Sequence, residues 1–183
     1  MKNNVLENKN IIVGVCGGIA CYKVASLVSL LKKEGANVDV VMTKNATQFI
    51  TPLTFQTLSQ NPVVIDMFEL FKTADVKHIS LSQKADAVIV APATANIIGK
   101  VVNGIADDML STVLMATTAP IVFAPAMNNN MFNNKIVQDN IKKLKDYGYH
   151  FVEPEVGYLA CGTNSVGRLA DIKNIVEKIK EVI

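Results

Sequence analysis

The stretch "IIVGVCGGIACYKVASLVSLLKKEG", residues 11–35, decides the fold. Its first six residues are an apolar run rich in β-branched side chains, which suits a strand. The run ends at Gly17-Gly18. Apolar residues then recur at Ala20, Val24, Leu27, Leu30 and Leu31, the spacing of one helix face. Lys32, Lys33 and Gly35 close the pattern in the way helix C-termini do. A strand, a glycine turn and a helix open a βαβ unit.

The unit repeats along the chain. "NVDVVMT" (37–43) predicts a second strand, and Thr51-Pro52 an N-cap followed by Pro at the first helical position. "DAVIVAPA" (86–93) predicts a third strand, buried on both faces. Asp107 or Asp108 is placed to cap the helix "MLSTVLMATT", and "PIVFAPA" (120–126) predicts a fourth strand. A helix over about 131–147, a fifth strand "YHFVEP" (149–154) and a last helix capped by Asp171 complete the series. Uniformly apolar strands alternating with helices indicate a parallel sheet covered on both sides. The expected fold is α/β: a single domain over 1–183, with a doubly wound parallel sheet and a short, frayed polar tail at 1–10.

Composition narrows the class. Half of the 183 residues are hydrophobic, 19% are charged and the net charge is +2. This describes a well-buried globular chain with no electrostatic case for nucleic acid or an acidic membrane surface. No apolar run reaches the roughly 18 residues that span a bilayer, and "MKNNVLENKN" lacks a signal-peptide core. A cytoplasmic protein is expected. Three cysteines (Cys16, Cys21, Cys161) show neither metal-ligand spacing nor a disulfide framework, and two histidines make a His-based metal site a poor fit.

Doubly wound sheets bind ligands beyond the carboxyl ends of their strands. That directs attention to 17–20, 43–49, 92–97, 125–131 and 155–168. "CGGIA" matches neither a Walker A loop nor G-x-G-x-x-G; it reads as an anion cradle at a helix N-terminus or as a plain turn. Thr43 and Lys44, where a dinucleotide fold would want an acid, suit a phosphate or a mononucleotide. Thr94 and Asn96 open the helix after the third strand, and capping explains only one of them. "APAMNNNMF" offers three asparagines where a cap needs one, and amides suit a planar or carboxylate ligand. Met127 and Met131 read as core residues, Cys16 and Cys21 as packing, His150 as structural, and His78 as surface or satisfied core. The Gly-rich "VGYLACGTNSVGRLAD" (156–171) reads as a flexible loop that presents Cys161, with Gly157 and Gly162 letting it close. The role of Arg168 stays open between loop, substrate and solvent.

Taken together, "GGIACYK" (17–23), His78 in "HISL", "APATANIIGKVVNGIADDML" (91–110), "PAMNNNM" (125–131) and "GYLACG" (157–162) resemble the flavin-containing cysteine decarboxylases. The P-x-M-N-x-x-M motif followed by a Cys-bearing glycine loop is the specific part. The resemblance implies a flavodoxin-like fold binding FMN without covalent attachment. It also implies decarboxylation of 4′-phosphopantothenoylcysteine to 4′-phosphopantetheine in coenzyme A biosynthesis, through a thioaldehyde and an enethiol. On matching positions, Gly18, Ile19 and Thr43 would take the flavin phosphate. Phe49, Thr94, Ala95, Asn96, Ile97 and Asn130 would line the cofactor, and Asn128 would hold the substrate carboxylate. His78 would be the base and Cys161 the proton donor. The resemblance further implies trimers or larger assemblies with active sites between subunits, and a fused or separate phosphopantothenoylcysteine synthetase. Phe132 stands where relatives often have Trp, and Cys21 where Ala is common. Peptidyl-cysteine decarboxylation, flavin prenyl transfer and non-catalytic regulation are the alternatives within the same fold. His78, Asn128 and Cys161 together favour the first reading.

Overall fold

Side chains alternate across a strand, so a strand rich in Val and Ile feeds two cores at once. In this computed structural model, which describes residues 5–68 and 77–183, that is how the molecule is built. β1 (Asn10–Val15), β2 (Asn37–Met42), β3 (Ala87–Ala93), β4 (Ile121–Pro125) and β5 (His150–Phe151) form one parallel sheet in the order β2-β1-β3-β4-β5. Ile11, Val13 and Val15 enter one core with Val38, Val40, Ala87 and Ile89. Ile12, Val41, Val88 and Val90 enter the other. Full burial of one such side chain contributes about 1.5–3 kcal/mol.

The first core is covered by α1 (Cys21–Lys33), α2 (Pro52–Ser59) and α8 (Ile172–Val182). α8 buries Ile175, Val176 and Ile179, and Lys180 reaches Glu34 at 2.8 Å. The second core is covered by α3 (Lys77–Lys84), α4 (Ala95–Val102), α5 (Met109–Ala116) and α7 (Lys135–Asp146). The strand order is that of flavodoxin-like sheets, whose ligand crevice opens where β1 and β3 lead their crossovers to opposite faces.

Asp108, not Asp107, caps α5. Its carboxylate accepts from Ser111 N at 2.8 Å, while Ser111 Oγ accepts from Asp108 N at 3.1 Å, a closed capping box. Asp171 caps α8, and Pro52 sits at the first position of α2 as expected. Thr51 Oγ1, however, meets Thr54 Oγ1 at 3.3 Å and makes no cap bond.

Four expectations need correction. The tail is not frayed over its whole length: residues 1–4 lie outside the described residues, but Leu6 is fully buried and Asn8 N donates to Gly35 O. The helix expected over 131–147 is two helices, α6 (Asn129–Phe132) and α7, because Asn128 and Asn134 each cap a separate start. The fifth strand shrinks to two residues because β5 is the sheet edge and pairs only with Val122 and Phe123. The glycine loop at 155–168 is an antiparallel hairpin, β6 (Glu155–Tyr158) and β7 (Asn164–Arg168), outside the main sheet. Among the described residues, no helix is long and apolar enough to cross a membrane.

Candidate active site

The loops after β1 and β3 meet in a cleft with two lobes, both lined by Gly17, Thr94, Ala95 and Met131. The first lobe, about 630 Å³, extends to Thr43, Asn96, Ile97 and the Lys100–Asp108 region. The second, about 760 Å³, extends to Gly18, Ile19, Lys23, Asn128, Cys161 and Arg168. Either is large enough for a small organic ligand.

The floor of the cleft follows from its glycines. A Cβ on Gly17 would lie 2.5 Å from Asn45 Cβ, so the loops after β1 and β2 touch only because that side chain is missing. A Cβ on Gly18 would meet nothing closer than 3.9 Å and would instead occupy the cleft beside Pro92 and Thr94. Directly behind them, α1 begins at Ala20 with no side-chain cap. Backbone N–H groups at an uncapped helix start favour an anion. By contrast, Thr94 Oγ1 caps α4 by accepting from Ile97 N at 3.4 Å. A phosphate-bearing planar cofactor suits this arrangement: a bare helix end for the anion and a small-residue wall for the ring.

The charges of the two lobes differ. In the first, Lys44 pairs with Asp66 at 3.3 Å, and Lys100 pairs with Asp107 at 2.6 Å and Asp108 at 2.7 Å. Burial works to raise the Asp108 carboxyl, but the hydrogen bonds from Lys100 and Ser111 outweigh it and hold it below the usual range. Beside it lies Cys16, whose thiol burial pushes up to about 12, so it stays protonated. The second lobe is lined by both Lys23 and Arg168. Burial, then the Arg168 charge, lowers the Lys23 ammonium, while Glu155 and Asp171 oppose the shift. Arg168 Nε is 3.9 Å from Glu155 Oε2. Two cations on one lobe suit an anionic group.

The hairpin delivers Cys161 to this lobe. At its root, Gly167 has φ +128° and accepts from Met127 N at 3.0 Å, tying β7 to the segment that carries Asn128. At its tip, Gly162 N donates to Leu159 O and Leu159 N donates to Thr163 O. Asn128 uses its two amide atoms separately: Oδ1 accepts from Asn130 N at 2.9 Å as the α6 cap, and Nδ2 donates to Cys161 Sγ at 3.4 Å. Thr163 Oγ1 lies 3.2 Å from the same sulfur. The hydroxyl of Thr163, ahead of the Asn128 amide, lowers the Cys161 thiol from its ordinary value.

Most of the expected site residues therefore converge. Gly18, Ile19, Thr43, Thr94, Ala95, Asn96, Ile97, Asn128 and Cys161 all line the cleft. Phe49, half exposed after a short 3₁₀ turn, and Asn130, exposed on α6, do not line either lobe. His78, half-buried in the first turn of α3, also faces neither lobe. Met131, read as core, is 49% exposed and lines both lobes. Gly157 is a strand residue, and a Cβ there would lie 3.0 Å from Arg168 Cδ, so its lack of a side chain makes room for Arg168. Sequence reasoning missed Lys23 as a partner of Arg168. Its position at the first turn of a helix following a glycine pair was the available signal.

The sequence pattern of the Flavoprotein family matches residues 2–183. The coenzyme A biosynthesis bifunctional protein CoaBC of Borreliella burgdorferi is 49% identical over 94% of this chain and 44% of its own length. This chain thus spans less than half of that relative. The probable phosphopantothenoylcysteine decarboxylase of Streptococcus mutans is 43% identical over 94% of this chain and 98% of its own. Among solved structures, a cysteine-to-serine mutant of PPC decarboxylase complexed with pantothenoylaminoethenethiol superposes with a TM-score of 0.85. It is 27% identical and covers 96% of this chain and 98% of the other.

Proposed function

The chain belongs to the Flavoprotein family, and from that premise we propose that it is an FMN-dependent decarboxylase that converts 4′-phosphopantothenoylcysteine to 4′-phosphopantetheine. The observation that carries this reading is the meeting of Asn128 and Cys161 at 3.4 Å across a lobe that also holds Lys23 and Arg168. In this reading, carboxylate holder, acid and phosphate partners line one lobe.

The cofactor phosphate fits the bare start of α1 at Gly18 and Ile19, with Thr43 nearby. Thr94, Ala95, Asn96 and Ile97 flank the ring. When bound, FMN supplies a two-electron sink for the substrate thiol and later returns those electrons. The protein's residues do the rest. Asn128 Nδ2 donates to the substrate carboxylate and orients it for loss as CO₂. Lys23 and Arg168 hold the substrate phosphate and place the cysteinyl end against Cys161. His78 accepts the proton removed from the substrate, a task suited to a neutral imidazole. Cys161 then protonates the carbon that lost CO₂. Since His78 does not line this chain's own cleft, it serves the cleft of a neighbouring copy in a trimer or larger assembly. A synthetase that makes the substrate, fused or separate, is the natural partner, and the cytoplasm is the place of work.

The test is direct. The protein, purified and loaded with FMN, is incubated with 4′-phosphopantothenoylcysteine, and the products are weighed by mass spectrometry. Loss of one CO₂ with a saturated thiol product is expected. A protein that neither binds FMN nor consumes this substrate would refute the proposal.

A further inference from the structure

We propose that Thr163 is a positioning residue that orients Cys161 and sharpens its acidity through a hydrogen bond to the sulfur. The inference rests on the reading of Cys161 as the proton donor. The hydroxyl of Thr163 is 3.2 Å from Cys161 Sγ, and the hairpin tip holds it there. Leu159 N donates to Thr163 O at 2.8 Å and Gly162 N to Leu159 O at 2.9 Å, so the backbone between the two side chains is pinned on both sides.

The direction of the bond gives Thr163 its role. Toward a thiol, either sulfur or hydroxyl can donate. Toward a thiolate only the hydroxyl can, and a hydrogen bond to a charged acceptor is the stronger kind. Thr163 therefore favours the ionised sulfur over the neutral one. During the step, the Cys161 S–H bond breaks and its electron pair stays on sulfur. The proton goes to the substrate carbon, whose new C–H bond uses the pair of the substrate's carbon–carbon double bond; the sulfur-bearing carbon, left a pair short, would take the hydride that reduced FMN supplies. Negative charge thus develops on Sγ, between Asn128 Nδ2, which already donates to it, and the Thr163 hydroxyl, which can turn to donate. Because Cys161 is exposed, solvent returns its proton afterwards. Asn128 Oδ1 is committed to the cap of α6; the hydroxyl of Thr163, exposed on the hairpin, has no side-chain partner but the sulfur among the described residues, which frees it to act on the thiol alone.

The experiment compares wild type, Thr163→Val and Thr163→Ser as FMN-loaded protein. Iodoacetamide alkylation of Cys161 is followed against pH by peptide mass spectrometry; Cys16 and Cys21 are buried and do not compete. The midpoint should move up in the valine variant, which keeps the shape and loses the donor, and return in the serine variant. An unmoved midpoint in Thr163→Val overturns the proposal. In parallel, turnover is run with the substrate and the enethiol share of product is measured. A raised share in Thr163→Val, reversed by serine, supports the positioning role. If the midpoint moves while Cys161→Ser still yields saturated product at full rate, the assignment of Cys161 as donor fails and the effect of Thr163 on the sulfur stands.

Discussion

Replacing Gly167 by alanine should detach the Cys161 hairpin without unfolding the sheet. Gly167 has φ +128°, a conformation that side-chain-bearing residues rarely adopt, and a Cβ there would lie 2.2 Å from Met127 O. Backbone strain of this kind costs about 1–3 kcal/mol. Relieving the clash also breaks the Met127 N to Gly167 O bond, worth about 0.5–1.5 kcal/mol. The sum, roughly 1.5–4.5 kcal/mol, weakens docking of the hairpin by about 10- to 2,000-fold. The cost falls locally because β6 and β7 pair only with each other and not with the five-stranded sheet. Amide hydrogen exchange reads this directly. Peptides covering 155–168 should exchange much faster in Gly167→Ala, while those covering β1 and β3 keep their protection. The enethiol share of product should rise as Cys161 leaves Asn128. Gly157→Ala is the control: its φ is unexceptional and its Cβ meets the movable Arg168 side chain at 3.0 Å, so it should cost little. Wild-type exchange over 155–168 in Gly167→Ala would refute the reasoning.

Other outcomes follow from the same geometry. Cys161→Ser should still release CO₂ but accumulate the enethiol, seen as a product two hydrogens lighter; saturated product at the wild-type rate counts against it. His78→Asn should stop the reaction before CO₂ leaves, so radiolabelled carboxyl carbon should stay in the substrate. Lys23→Gln should raise KM for the phosphorylated substrate with little change in kcat and leave the unphosphorylated analogue unaffected; an equal loss on both would remove Lys23 from phosphate binding. Asp108→Ala should cost about 1–2 kcal/mol at neutral pH through the lost α5 cap. The folded Asp108 carboxyl lies below its unfolded value, so its contribution is present above the unfolded pKa and fades as pH falls through the folded one. The gap in urea midpoint between wild type and variant should therefore shrink at pH 3, and an undiminished gap would contradict the assignment.

What the residues disclose before folding has a physical pattern. β1, β3 and β4 were legible because a strand buried on both faces must be apolar almost throughout, whatever surrounds it. β5 was not, since its length depends on how far β4 extends beside it at the edge. The hairpin escaped notice because "GYLACGTNSVGR" has no Asn-Gly turn and no clean alternation. Its strands persist through self-pairing and the Gly167 tie to Met127. The surplus of asparagines after β4 was readable as a site, but not the division of Asn128 between cap and thiol, which needs the hairpin in place. Lys23 and Arg168 are separated by most of the chain, and only the turn of the sheet brings them together. Asn128 and Cys161, named by the motif resemblance, meet in the cleft, whereas His78 lies away from its own chain's cleft, a placement that needs the fold.

The packing of α8 on α1 bears on how the molecule is made. α1 starts at the anion cradle, yet part of its apolar face stays open until Ile175, Val176 and Ile179 arrive and Lys180 reaches Glu34. A nascent chain therefore cannot complete the first core while α8 is still in the ribosome, although every cradle residue has already emerged. Contacts between such distant segments close late and slowly. Partly synthesised chains expose the α1 stripe, where holdase chaperones bind and aggregation starts. Cofactor added during synthesis should speed release from chaperones only once the last eleven residues of the helix are free.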